Sequence, residues 1–143
     1  MIQEILPPNT ARAHPAMSAL RPAWSDEAAF VERIDTVQRP AGYRIVGIFE
    51  PEEAAALAVA GFRTGHNLPL GHHLYVDDLS TLPTARRRGY ARQLLRWLVV
   101  EARRLGCEEL HLDSGVGPSR QAAHRLYLNS GYVISAHHFS KCL

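Results

Sequence analysis

Residues Leu79 to Leu98 read LSTLPTARRRGYARQLLRWL. A strand-like run ends as this stretch begins, a short basic turn follows, and an amphipathic helix starts with Gly89 and Ala91 at its mouth. The opening amides of a helix have no intrahelical acceptor and carry the positive end of the dipole, so the junction aims several N–H groups at one point. Arg86, Arg87, Arg88 and Arg92 add positive charge there, and Gly89 lets the backbone approach a ligand with no Cβ in the way. The ligand that such a junction predicts is a polyphosphate.

Downstream, Ala91, Leu94, Leu95, Leu98, Ala102 and Leu105 recur at helical spacing. Arg103 and Arg104 fall in the last turn, where the dipole favours cations, and Gly106 stands where a helix stops. Cys107 to Asp113 alternates Leu110 and Leu112 with polar residues and predicts a strand. Gly115 to Pro118 suits a turn, Ser119 is placed to cap a shorter helix carrying Ala122, Ala123, Leu126 and Tyr127, and Gly131 ends it. Tyr132 to Cys142 is expected as one or two closing strands.

Upstream, His72 to Thr81 reads as a strand. Tyr43 to Phe49 and Ala54 to Arg63 are expected as a hairpin around Glu50 to Glu53, with a loop from Thr64 to Gly71 behind it, although the alanines of Ala54 to Ala60 also suit a helix. Earlier still come a short strand, Ile2 to Leu6, ended by Pro7, Pro8 and Asn9, and a helix, Ala11 to Leu20, with Pro15 in a first turn or a kink. A second helix is expected from Ser25 to Gln38, with Ser25 as N-cap and Phe30, Ile34 and Val37 on one face. A central hairpin followed by alternating helices and strands predicts one α/β domain over residues 1–143: a mixed, mostly antiparallel twisted sheet of about six to seven strands flanked by helices.

Composition narrows the function classes. At 143 residues, 46% hydrophobic and 21% charged, the chain has the profile of an ordinary globular domain. A net charge of +2 is too small to argue for nucleic acid, and the arginines cluster in one segment, so local anion binding ranks above a basic surface. No signal peptide and no apolar run of about 18 residues is seen, which argues against secretion or a membrane span. The two cysteines, Cys107 and Cys142, fit neither a disulfide framework nor a zinc pattern and read as reduced packing residues of a cytoplasmic protein. His72-His73 and His137-His138 are adjacent pairs on expected strands, pointing to opposite faces, so no metal site is expected. His72 or His73 remains a candidate for lining a substrate pocket. Ser114 lacks the flanking glycines of a nucleophile elbow, and Gly115 and Gly117 lack the third glycine of a dinucleotide turn.

Arg86-Arg87-Arg88-Gly89-Tyr90-Ala91, with Pro83 just ahead, resembles the pyrophosphate signature of the GNAT superfamily of acyl-CoA-dependent N-acetyltransferases. Downstream, Ala123, Leu126, Tyr127 and Gly131 resemble that family's pattern on the helix after the fifth strand. The likeness runs well from about Tyr43 to Tyr132 and by element order before that. One departure is Arg120, where the family often has an asparagine that contacts the pantetheine arm. The resemblance implies the GNAT fold and direct transfer of acetyl from acetyl-CoA to a primary amine of a small molecule or protein. The alternative is a non-catalytic acyl-CoA-binding module of the same fold.

By that resemblance the backbone of Arg86, Arg87, Arg88, Gly89, Tyr90, Ala91 and Arg92 holds the pyrophosphate, and backbone groups of Leu79 and Thr81 pair with the pantetheine arm and acetyl carbonyl. The amine acceptor must lose a proton, at a cost of about 4 kcal/mol for an alkylammonium at neutral pH. Asp78 or Asp77, directly or through a bound water, is the candidate base. Alternation sends the two to opposite faces unless a bulge intervenes, with Asp78 slightly preferred. Tyr127 is the candidate acid for the leaving thiolate. The acceptor pocket is expected between the first two helices and the Thr64 to Gly71 loop. Likeness of YVDDL to aminoglycoside and polyamine acetyltransferases implies a small polyamine-like amine as one acceptor. Dimerisation through the C-terminal strands is common in the family, so a homodimer is among the assemblies it implies.

Overall fold

A computed structural model describes all residues, 1–143. The chain divides into two compact units, Met1–His111 and Leu112–Leu143.

The first unit is built on a sheet in chain order, β1 (Ile2–Glu4), β2 (Arg44–Ile48), β3 (Ala58–Asn67), β4 (Gly71–Thr81) and β5 (Glu109–Leu112). The β1-β2, β2-β3 and β3-β4 pairs are antiparallel. The helices α1 (His14–Leu20), α2 (Glu27–Arg33) and α3 (Tyr90–Arg104) flank it. Around α1 and α2 a buried cluster gathers Met17, Phe30, Ile34, Tyr43, Ile45 and Val59. Leu94, Leu95 and Leu98 recur one turn apart on α3 and are buried, and Trp97 meets Phe62 of β3 edge to face at 5.9 Å. No helix is long and apolar enough to cross a membrane.

Local chemistry explains the boundaries. Pro15 sits in the first turn of α1, where its missing N–H costs nothing. The N-cap of α2 is Asp26, not Ser25: its carboxylate accepts from Ala29 N at 2.7 Å, while Ser25 closes the preceding Pro22–Trp24 turn. The expected helix to Gln38 is α-helical only to Arg33 and continues as a π turn over Ile34–Gln38. Gly89, left-handed at φ 81°, opens α3.

Three expectations are corrected. The Thr64 to Gly71 loop does not form: β3 starts at Ala58, runs to Asn67 and pairs with β4 through Asn67↔Gly71, because Thr64 and His66 find ladder partners in Leu74 and His72. The sheet has five strands, fewer than expected, because Tyr132 to Cys142 forms none. That segment has strand-like composition but no ladder beside it, and Val133, Ile134 and Phe139 stay exposed. Cys142 is likewise exposed and packs no core, leaving Cys107 as the half-buried thiol.

The second unit carries α4 (Gln121–Asn129), preceded by a turn at Pro118–Arg120. Its N-cap is Arg120 with no side-chain cap, not Ser119. Gly131, left-handed at φ 88°, ends it as expected.

Candidate active site

The basic turn leaves β4 through Pro83–Ala85 and then curls. Arg87 is the one non-glycine residue with positive φ, at 65°, and Gly89 repeats that conformation two residues on. Left-handed residues so closely spaced fold a backbone into a concavity that gathers amides around an anion. The first amide bonded within α3 is Gln93 N, to Gly89 O at 3.0 Å, so those of Tyr90, Ala91 and Arg92 open the helix without intrahelical partners. No side chain caps this end and no acid stands in its first turn. Arg86, Arg87, Arg88 and Arg92 are exposed, and none is ion-paired. A diphosphate supplies what these donors lack, and the residues fit the group. The side chain of Tyr90 is buried and engaged elsewhere, its hydroxyl donating to Glu50 Oε1 at 2.7 Å.

Leu79 and Thr81 lie at the end of β4, opposite Ala60 and Ala58 of β3. The neighbour on the other side, β5, has four residues against eleven in β4, so much of that edge has no strand beside it. Unpaired edge backbone is the chemistry that an extended amide-bearing arm needs. Between these residues, Ser80 Oγ donates to Ala16 O at 2.7 Å and ties β4 to α1.

The two aspartates break the strand's alternation. Val76 pairs with Phe62 and Asp78 with Gly61, so Asp77 is the extra residue of a bulge. Val76 is buried, whereas Asp78 accepts from Tyr43 Oη at 2.6 Å and from Arg21 Nε at 2.9 Å. Asp77 is held by Arg63, whose Nε lies 2.9 Å from Oδ2 and whose guanidinium rests over Tyr75. Burial, and then the charge of Asp78, raise the Tyr43 phenol well above its ordinary value, which keeps it a proton donor. Asp78 also lines a shallow cleft whose walls include Arg21, Trp24, Phe30, Arg33 and Tyr43. The cleft belongs to α1, α2 and the segments that follow them. The helices of the expected acceptor pocket are therefore present, and its loop is not.

Tyr127 is the buried residue of α4, with its ring 6.2 Å from that of Tyr132. Burial raises its phenol above the ordinary value, while Arg120 beside it pulls the other way. His72 and His73 do not line the cleft: His72 stacks on His66 at 4.2 Å, and His73 meets His111 edge to face at 6.0 Å. No group of three or more His, Cys, Asp or Glu is arranged to hold a metal ion.

Sequence reasoning missed Arg21, Trp24, Tyr43 and Gly61. Only Gly61 carried a signal, being a glycine inside an expected strand.

Comparison with known proteins agrees with this geometry. A model of the acetyltransferase (GNAT) family matches residues 9–132 and so runs through both units. An uncharacterized N-acetyltransferase, YhdJ, of Bacillus subtilis is 30% identical over 132 residues, covering 92% of this chain and 89% of that protein. The aminoalkylphosphonate N-acetyltransferase of Salmonella typhimurium is 38% identical over 68 residues, 48% of this chain and 43% of that one. An aminoglycoside N-acetyltransferase solved in complex with CoA superimposes with a TM-score of 0.82 at 14% identity, over 100% of this chain and 93% of that chain, a likeness of fold. An uncapped basic helix start beside an open strand edge thus has a family to account for it: the chain belongs to the GNAT acetyltransferases, enzymes that transfer the acyl group of acyl-CoA to nitrogen.

Proposed function

We propose that this protein moves the acetyl group of acetyl-CoA directly to a primary amine of a small molecule or protein, the two units acting as one catalytic domain. The observation that carries the reading is the start of α3, where free amides, two left-handed residues and four unpaired arginines converge. The amides of Arg87 to Arg92 hold the diphosphate, and the backbone of Leu79 and Thr81 takes the pantetheine arm. Acetyl-CoA supplies the thioester, whose C–S bond breaks as the C–N bond forms.

Asp78 is the base in this reading, taking the ammonium proton directly or through water, because it opens on the cleft; Asp77 is the alternative. Tyr127 donates its proton to the departing sulfur and recovers one from solvent. A cytoplasmic location and a homodimer belong to the same proposal.

One observation favours a second reading, an acyl-CoA-binding module without turnover: both oxygens of Asp78 are already bonded, to Arg21 and Tyr43. Calorimetry with CoA and release of free thiol across an amine panel test the two. The enzyme reading expects amine-dependent thiol release that Asp78→Asn abolishes. Binding without release under any amine supports the module, and absence of CoA binding defeats both.

A further inference from the structure

The cleft at Asp78 is lined by two arginines, Arg21 and Arg33, and one acid, Asp78. Arg21 is committed, with Nε on Asp78 and another nitrogen on Asp77 O at 2.9 Å. Arg33 is not. It forms no ion pair, and its guanidinium lies over the Trp24 ring at 5.6 Å. Its guanidinium donates no hydrogen bond within the chain, which leaves its N–H edge for an outside partner, and that fork matches a carboxylate or phosphonate. The surplus positive charge also opposes a polycation.

Building on the acetyltransferase reading above, we infer that the acceptor is a zwitterion, an amine with a carboxylate or phosphonate a few bonds away, whose anion is received by Arg33 and whose nitrogen is directed to Asp78. Trp24 and Phe30 offer the short carbon chain an apolar wall.

The test is steady-state kinetics with acetyl-CoA and matched amines: β-alanine, 2-aminoethylphosphonate, propylamine and putrescine. The inference expects kcat/KM for the two acids to exceed that for propylamine and putrescine by at least about tenfold, the worth of one charge-assisted contact. Arg33→Gln should raise KM for the acids by about the same factor, leave propylamine unchanged, and be rescued in part by Arg33→Lys. A cation serving only the end of α2 would instead alter stability and treat all amines alike. Preference for propylamine or putrescine, or an equal effect of Arg33→Gln on every amine, overturns the inference and leaves the acetyltransferase reading standing. No turnover of any of the four amines overturns the inference, while the acetyltransferase reading is decided separately by CoA calorimetry and thiol release across the wider amine panel.

Discussion

Tyr43 reaches Asp78 across the bare backbone of Gly61, the residue that pairs with Asp78 on the neighbouring strand. A Cβ at Gly61 would overlap the Tyr43 phenol oxygen. The glycine is thus the opening through which a residue of β2's approach positions a carboxylate on β4.

Gly61→Ala is expected to displace the Tyr43 ring and cost about 1 to 3 kcal/mol, the usual penalty of overpacking. Urea unfolding measures it. Acetyl transfer should fall as well, because Asp78 loses the donor that orients it; unchanged stability and rate would show that the ring has another seat.

Gly89→Ala should weaken CoA binding more than Arg87→Gly. Alanine meets no neighbour at position 89, but φ 81° is left-handed and strains an L residue by about 1 to 2 kcal/mol. Glycine at position 87 keeps the conformation and removes only one exposed charge. Calorimetric titration with CoA ranks the two, and the reverse order would mean that side chains, not the backbone cup, hold the diphosphate.

Tyr127→Phe should lower kcat by roughly a hundredfold while CoA affinity stays within a few-fold. Because burial raises this phenol above its ordinary value of 10.0, the tyrosine keeps its proton through neutral pH, and no alkaline loss of activity below that value should arise from it. Equal loss of affinity and turnover would remove Tyr127 from the chemistry.

Glu101 predicts an acid limb to stability. Hydrogen bonds from Arg104 and then Arg44 outweigh burial and hold its carboxyl down to about 2. A carboxyl depressed on folding adds stability above its ordinary value of 4.5 and loses it as the pH falls toward 2. Glu101→Gln should therefore lower Tm at neutral pH and flatten the fall between pH 4.5 and pH 2. Parallel wild-type and variant curves across that window would contradict the assignment.

The helix start proposed to hold the diphosphate was legible because it is local. Apolar spacing in Leu94, Leu95 and Leu98, the glycine before them and the arginines around it all lie in one run of sequence, and a helix start presents its amides whatever the rest of the chain does. The cleft at Asp78 was not. Arg21 and Asp78 stand 57 residues apart and Tyr43 and Asp78 stand 35 apart, and no pattern in one segment reveals a partner in another. The bulge at Asp77 was foreseeable as a hazard but not as a fact, since it depends on the register that β3 takes against β4.

The sequence by itself determined the helix over the basic turn, the order of elements around it and the glycine and arginines at that helix's mouth, because hydrophobic period and glycine placement act within a few residues of where they are written. Tertiary structure alone decided that Tyr132 to Cys142 would find no ladder, that β3 would run on to Asn67, and that Asp78 would meet Arg21 and Tyr43 in one cleft. Those outcomes turn on which distant backbone or side chain arrives beside them, and strand pairing and charge pairing exist only once both partners are in place.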